Sequence, residues 1–219
     1  YAMGWGVDQA YNFAQLLEST NKQKVLNAGI SSFGTARELK LLNQLDYSKT
    51  EYLIIQFCAN DYTENLSYYE HNYTLKVSSL ENYQKQKEKI NRVNKYYFLK
   101  HSIYLGRAIF LEDETAQNPI ESAEEEPLYE ELSQAELFLN ILQSNEAIQQ
   151  IPNIIISDIN YFPTESFIEE LSHLLSLKKY QALRKKIKLV YLTAFSTKQY
   201  YFLLYNHWNK QVQQKITDI

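Results

Sequence analysis

Four short runs dominated by apolar residues constrain this chain more than any other feature: Lys24–Asn27 (KVLN), Tyr52–Phe57 (YLIIQF), Asn153–Ile159 (NIIISDI) and Ile187–Leu192 (IKLVYL). A strand with one wet face alternates apolar and polar residues, whereas these runs are apolar on both alternating sets of positions and need cover on both faces. The segments between them have helical period. Gln9–Thr20 places Phe13, Leu16 and Leu17 on one side, and Thr35–Leu45 does the same with Leu39, Leu41, Leu42 and Leu45. Buried strands separated by helices predict a doubly wound α/β domain, a parallel sheet with helices on both faces.

The 219 residues suffice for one such domain with a full core, and we read 1–219 as a single domain. Five Gly and four Pro among 45% apolar residues exclude collagen, a flexible linker protein and a mostly disordered chain. One cysteine, Cys58, excludes an intrachain disulfide and a cysteine-based zinc cluster. His71, His101 and His173 have no metal-ligand spacing among themselves, so no metal site is expected. No apolar run approaches the length of about 20 residues that spans a bilayer, and the N-terminal residues show neither the basic start nor the apolar stretch of a signal peptide. Localisation is not legible, and the Asn-x-Ser/Thr sequons at Asn65 and Asn72 carry little meaning without a secretory context.

The stretch 66–151 breaks the strand–helix rhythm and reads as a helical, acid-rich insertion with a solvated loop at its centre, a lid or partner-docking segment being the alternative. Charge is unevenly spread: no Lys or Arg occurs from Ala108 to Leu177, where fifteen acidic side chains accumulate, although the whole chain carries only −4. The basic stretch Lys76–Arg107, in which lysines and tyrosines are interspersed, has no accompanying nucleic-acid recognition motif. We read it as a solvated helix face or a partner for the acidic segment rather than a nucleic-acid site.

Ligands of open parallel sheets bind beyond the carboxyl ends of the strands, so the residues after each run carry the candidate chemistry. After the first run, Asn27 to Thr35 (NAGISSFGT) combines small residues and hydroxyls and opens a helix; it suits either a tight strand-to-helix connection or a turn that aims backbone N–H groups into a cleft. After the second, Cys58 to Asn65 (CANDYTEN) puts Asn60 and Asp61 at the lip of the same cleft. A neutral carboxamide there can donate to a developing oxyanion, and an Asx-turn is the alternative. After the last, Tyr200–Gln211 contains His207, which suits either a general base or one position of an amphipathic helix from Thr197 to Ile216. The helix is the reading that periodicity favours.

Taken together, these segments resemble the SGNH (GDSL) hydrolase family. Tyr1-Ala-Met-Gly-Trp-Gly-Val7 is similar to the residues after the nucleophile in that family's first block, Gly-Asp-Ser-aromatic-Thr/Ala-x-Gly-x-Gly-Val. Asn27-Ala-Gly-Ile-Ser-Ser-Phe-Gly-Thr35 resembles Asn-x-Gly-Val-x-Gly-Tyr-Gly-Thr, Cys58-Ala-Asn-Asp61 resembles Gly-x-Asn-Asp, and Tyr205-Asn-His-Trp-Asn-Lys-Gln-Val212 resembles Asp-Gly-His-Trp/Leu-Asn-x-x-Gly.

The resemblance implies a three-layer α/β/α sandwich with a flavodoxin-like parallel sheet of order 2-1-3-4-5, whose first, central strand is not in the sequence. It implies an acyl or acetyl ester hydrolase, needing no cofactor, that acts on a small-molecule, glycan or lipid ester. His207 would be the base, and the Asn60 carboxamide and the Ser32 N–H would hold the oxyanion. Gly29, Asp61 and Tyr1 would line the substrate side, with Tyr1 directly following the catalytic serine. Three departures stand against activity of this chain by itself: that serine is absent, Tyr205 replaces the triad aspartate, and Val212 replaces a glycine. A catalytically inactive relative that binds a glycan or protein through the same cleft is the alternative.

Overall fold

The computed structural model describes residues 4, 6–96, 102, 132–158, 167–192, 200–202 and 205–217. They fall in two compact units, one of Tyr1–Leu75, Leu132–Phe202 and His207–Ile219, the other of Lys76–Glu131 and Leu203–Asn206. The first unit holds α1 (Phe13–Asn21), α2 (Thr35–Leu42), β1 (Tyr52–Phe57) and α3 (Tyr62–Glu70). In the second lies α4 (Leu80–Tyr96). The first unit resumes with α5 (Gln134–Ser144), α6 (Glu146–Gln150), β2 (Asn153–Asp158), α7 (Phe167–Leu175), α8 (Gln181–Arg184) and β3 (Ile187–Val190). A second pair of strands, β4 (Tyr201–Phe202) and β5 (Tyr205–Trp208), precedes α9 (Lys210–Ile216).

The chain is thus mixed α/β, with a parallel sheet of order β1-β2-β3. The register pairs Leu53 with Ile154 and Ile55 with Ile156, and then Ile154 with Ile187 and Ile156 with Leu189. In-register neighbours share a face, so these side chains form one apolar surface. It packs beneath α5 and α7 in a core that includes Phe138, Leu139, Ile141, Leu142, Phe167 and Leu171. Under the C-terminal end of β1 the rings of Phe57 and Phe167 stack with centroids 3.8 Å apart and Phe138 meets both edge-on, which fixes where the segment after β1 leaves the sheet. The opposite face is covered at its C-terminal end, where Val190 and Cys58 pack with Leu192, Trp208, Val212 and Ile216.

The helix starts follow capping chemistry. The side chains of Asn12, Ser133, Asn145 and Asn209 each accept from the first-turn N–H groups of α1, α5, α6 and α9. α2 differs, since Gly34 precedes it and no side chain of its own caps it.

Three expectations need correcting. Lys24–Asn27 is not a strand: no ladder partner lies beside it among the described residues, and Leu26 is 74% exposed. The stretch read as inserted is in part core, because α5 and α6 supply fully buried Leu137, Phe138, Leu139, Ile141, Leu142 and Ile148. The acidic centre of that stretch lies outside the described residues. His207 is not on a helix that begins at Thr197; it lies on β5, and α9 starts only at Lys210, where the Asn209 carboxamide caps it. The aromatic run that precedes His207 favours a strand over a helix.

Candidate functional site

The turn from Gly29 to Gly34 leads directly into α2. Asn27 Oδ1 accepts the Gly29 N–H at 3.1 Å, an Asx-turn, while the Asn27 amide reaches Asn12 Oδ1 at 3.2 Å. The Phe33 N–H closes the turn onto the Ile30 carbonyl at 3.2 Å. Ser32 is exposed and has a left-handed φ of +62°, a conformation that a residue with a Cβ adopts at some cost. Its N–H donates to no acceptor among the described residues.

After β1 the chain turns through a 3-10 segment, Ala59–Asp61, and enters α3. Asn60 is exposed at this turn, and no hydrogen bond holds its carboxamide among the described residues. Asp61 points the other way and is buried. Its Oδ2 accepts the Thr35 hydroxyl at 3.1 Å. One helical turn later, Asn65 Oδ1 accepts the Ala36 N–H at 3.2 Å and Glu64 Oε1 accepts the Arg37 N–H at 3.3 Å; Glu64 also pairs with the Arg37 guanidinium. The orphan donors at the start of α2 are therefore satisfied by α3 and the turn before it. Gly34 permits this approach, since a Cβ there would sit 2.9 Å from Glu64 Oε1. Asn65 is 1% exposed, which removes it as an acceptor for a glycan in this fold.

Three carboxylates, Glu38, Asp61 and Glu64, converge near this junction, and among the described residues Arg37 pairs with Glu64. Burial pushes Asp61 up to about 6, against the lowering effect of the Thr35 hydroxyl, and Glu64 raises it further. Burial, followed by the Asp61 charge, pushes Glu38 up to about 7. Burial also pushes the Cys58 thiol up to about 11, which keeps it protonated and unreactive at neutral pH. Among the described residues no group of His, Cys, Asp and Glu could hold a metal ion.

The β5–α9 segment closes the same end of the sheet. Trp208 and Val212 are buried beside Leu192, with Cys58 and Val190 packed against them, so the backbone at His207 lies near the carboxyl ends of β1 and β3. Gln213 Oε1 accepts the Phe13 N–H at 3.0 Å and ties α9 to α1.

Of the residues proposed from sequence, the Gly29–Ser32 turn and Asn60–Asp61 are joined through Thr35 and Asp61, and His207 is on β5 at the same end of the sheet; Tyr1 lies outside the described residues. Sequence reasoning missed Glu38, Glu64 and the cross-helix role of Asn65. The only signal for them was the acidic spacing after Thr35 and Asp61, which matches an ordinary solvated helix start. Comparison with protein-family models, curated proteins and solved structures found no match.

Proposed function

We propose that this chain carries most of an SGNH-type serine ester hydrolase whose catalytic serine immediately precedes Tyr1. The observation that carries the reading is the α2–α3 junction, where hydrogen bonds between the two helices bring the Ser32 turn and the Asn60 turn together at one end of a parallel sheet. Each turn presents a donor uncommitted among the described residues, the Ser32 N–H and the Asn60 carboxamide. The left-handed backbone at Ser32 supports the comparison, since the corresponding family position is glycine.

The other side of β1 supports it too. Among the described residues β1 is an edge of its sheet, Tyr52 and Ile54 are exposed along it, and Gln56 Oε1 is buried with no hydrogen-bond partner. One more apolar strand beside β1, in the arrangement of a three-layer flavodoxin-like sandwich, would pair this open edge and deliver a serine from its C-terminal end to the two donors.

In this mechanism the serine Oγ attacks the ester carbonyl carbon while His207 takes the hydroxyl proton, and the Asn60 and Ser32 donors hold the oxyanion. Collapse expels the alcohol, which leaves with the proton from His207, and water then hydrolyses the acyl-enzyme by the same route. Gly29 and Asp61 shape the acyl side, Gly29 through its turn and Asp61 by holding the start of α2. The test is hydrolysis of p-nitrophenyl acetate by the protein that includes the residues encoded before Tyr1. Activity should fall by about 10²- to 10³-fold on Asn60→Ala. Activity unchanged by that substitution sinks the assignment of Asn60.

A second reading, an inactive relative that binds a glycan or protein partner in this cleft, is favoured by one residue: Tyr205 stands where a triad aspartate is needed. In the same extended protein Tyr205→Asp should raise turnover steeply if the cleft is catalytic. No gain, with an acetylated glycan still bound, selects the binding module.

A further inference from the structure

Among the described residues, helix α4 has no packed side. Every residue from 76 to 92 is exposed, including Val77 at 86%, Leu80 at 70%, and Tyr83 and Ile90 at somewhat over half. A free helix of this length is marginal in water, so a helix with such a face gains stability from whatever it lies against. At 100° per residue Leu80, Tyr83 and Ile90 fall within an arc of about 80° that also takes in Lys87 and Asn94, a narrow, mainly apolar stripe along the axis. Over residues 76–96 the sequence carries six cations, Lys76, Lys85, Lys87, Lys89, Arg92 and Lys95, against Glu81 and Glu88. Glu81 is already engaged by Lys85 at 2.8 Å. The stretch therefore combines a narrow apolar stripe with a cation excess of four in 21 residues.

We infer that α4 is a docking helix for an anionic lipid surface, lying in the plane of the headgroups. Two features together choose this occupant. The cation excess selects a surface of negative charge, and the exposed Leu80, Tyr83 and Ile90 need an apolar host just beneath that charge. A nucleic acid satisfies the first requirement and leaves the second unmet, since its phosphate surface offers the stripe nothing to enter. Lys87 falls inside the stripe, where its methylene stem can lie along the apolar zone while the ammonium reaches the headgroups. The attachment is peripheral; among the described residues no helix is long and apolar enough to cross a membrane.

The test uses the full chain and vesicles of phosphatidylcholine with about one-third phosphatidylserine, a composition that gives the negative surface potential the helix would read. Pure phosphatidylcholine vesicles and a double-stranded DNA of random sequence are the comparators. Co-flotation with the anionic vesicles, about tenfold or more above the neutral ones and lost as salt is raised, is the expected result. Each basic residue near such a surface contributes roughly fivefold, so Lys87→Glu with Lys89→Glu should abolish binding. Leu80→Asp with Ile90→Asp should also reduce it by about tenfold or more. All four positions are exposed, so an unchanged thermal melt checks that the fold survives. In Tyr83→Trp the new indole emission should shift to the blue on adding anionic vesicles and stay put with neutral ones. No binding to anionic vesicles overturns the inference. So does binding that tolerates the Leu80 and Ile90 substitutions, or retention on DNA with equal strength, which would assign the helix to nucleic acid.

Discussion

Replacing Asp61 with asparagine should stabilise this protein at alkaline pH and leave it nearly unchanged in acid. Asp61 is 7% exposed, and its carboxyl is pushed from 3.8 up to about 6 by burial, with Glu64 adding repulsion. A carboxyl whose pKa is raised on folding binds its proton more tightly in the folded state. Its contribution is therefore present in full below the unfolded pKa near 4 and is lost as pH rises through about 6. A rise of about two pH units corresponds to roughly 3 kcal/mol of stability lost between about pH 4 and 7. The substituted carboxamide would retain an acceptor for the Thr35 hydroxyl, now held at 3.1 Å by Asp61, without the buried charge. Urea unfolding at about pH 3.5, 6 and 8 should show Asp61→Asn more stable than the parent by about 2 to 3 kcal/mol at the alkaline end, with the difference shrinking to within about 0.5 kcal/mol at the acidic end. A variant that is less stable by the same amount at every pH would refute the reasoning, since the carboxylate would then be a net stabilising partner rather than a strained one.

The same geometry sets the other expectations. Gly34→Ala places a Cβ 2.9 Å from Glu64 Oε1 and 3.1 Å from Glu64 Cδ, so the Glu64–Arg37 pairing must give way; a loss of about 1 kcal/mol in chemical unfolding is expected. Phe167→Ala opens the aromatic cluster beneath β1 and should cost about 3 to 5 kcal/mol, read as a shift of the urea midpoint. Gln56→Met removes a buried carboxamide oxygen without a partner and should stabilise this chain by about 1 kcal/mol; in the protein extended before Tyr1 the gain should vanish if an added strand supplies a donor. Asn60→Ala, at an exposed turn, should change stability by less than about 0.5 kcal/mol, so any loss of esterase rate reads as chemistry.

How much of this was legible depended on whether local pattern or distant contact decided each element. β1 runs over the six residues of the YLIIQF segment because that run is uncharged and rich in strand-favouring residues, with Ile55 and Phe57 buried. The Lys24–Asn27 run has comparable local character but no neighbour to pair with among the described residues, and a strand exists only by its partner. The acid-rich composition around α5 and α6 concealed their role: Leu137, Leu139, Ile141 and Leu142 crowd the helix with apolar residues on more than one face, which signals burial, yet the flanking charges suggested an insertion. At the site, small residues and carboxamides point to chain reversals at Ser32 and Asn60, and Asn60 lies in the 3-10 segment Ala59–Asp61. The bonds that join them, Thr35 to Asp61, Ala36 to Asn65 and Arg37 to Glu64, connect segments far apart in sequence and leave no periodic trace. His207 was placed on a helix by period, and the Asn209 cap shows why the helix begins after it.

If the Ser32 and Asn60 turns and the His207 strand serve a serine lying immediately before Tyr1, that serine should be reactive. The most direct measurement is fluorophosphonate labelling of the protein that includes its upstream residues, with the adduct located by mass spectrometry. A single adduct on a serine directly preceding Tyr1, lost on His207→Ala, is the expected result. An unrelated residue at that position, or a serine there that fails to react, would contradict it.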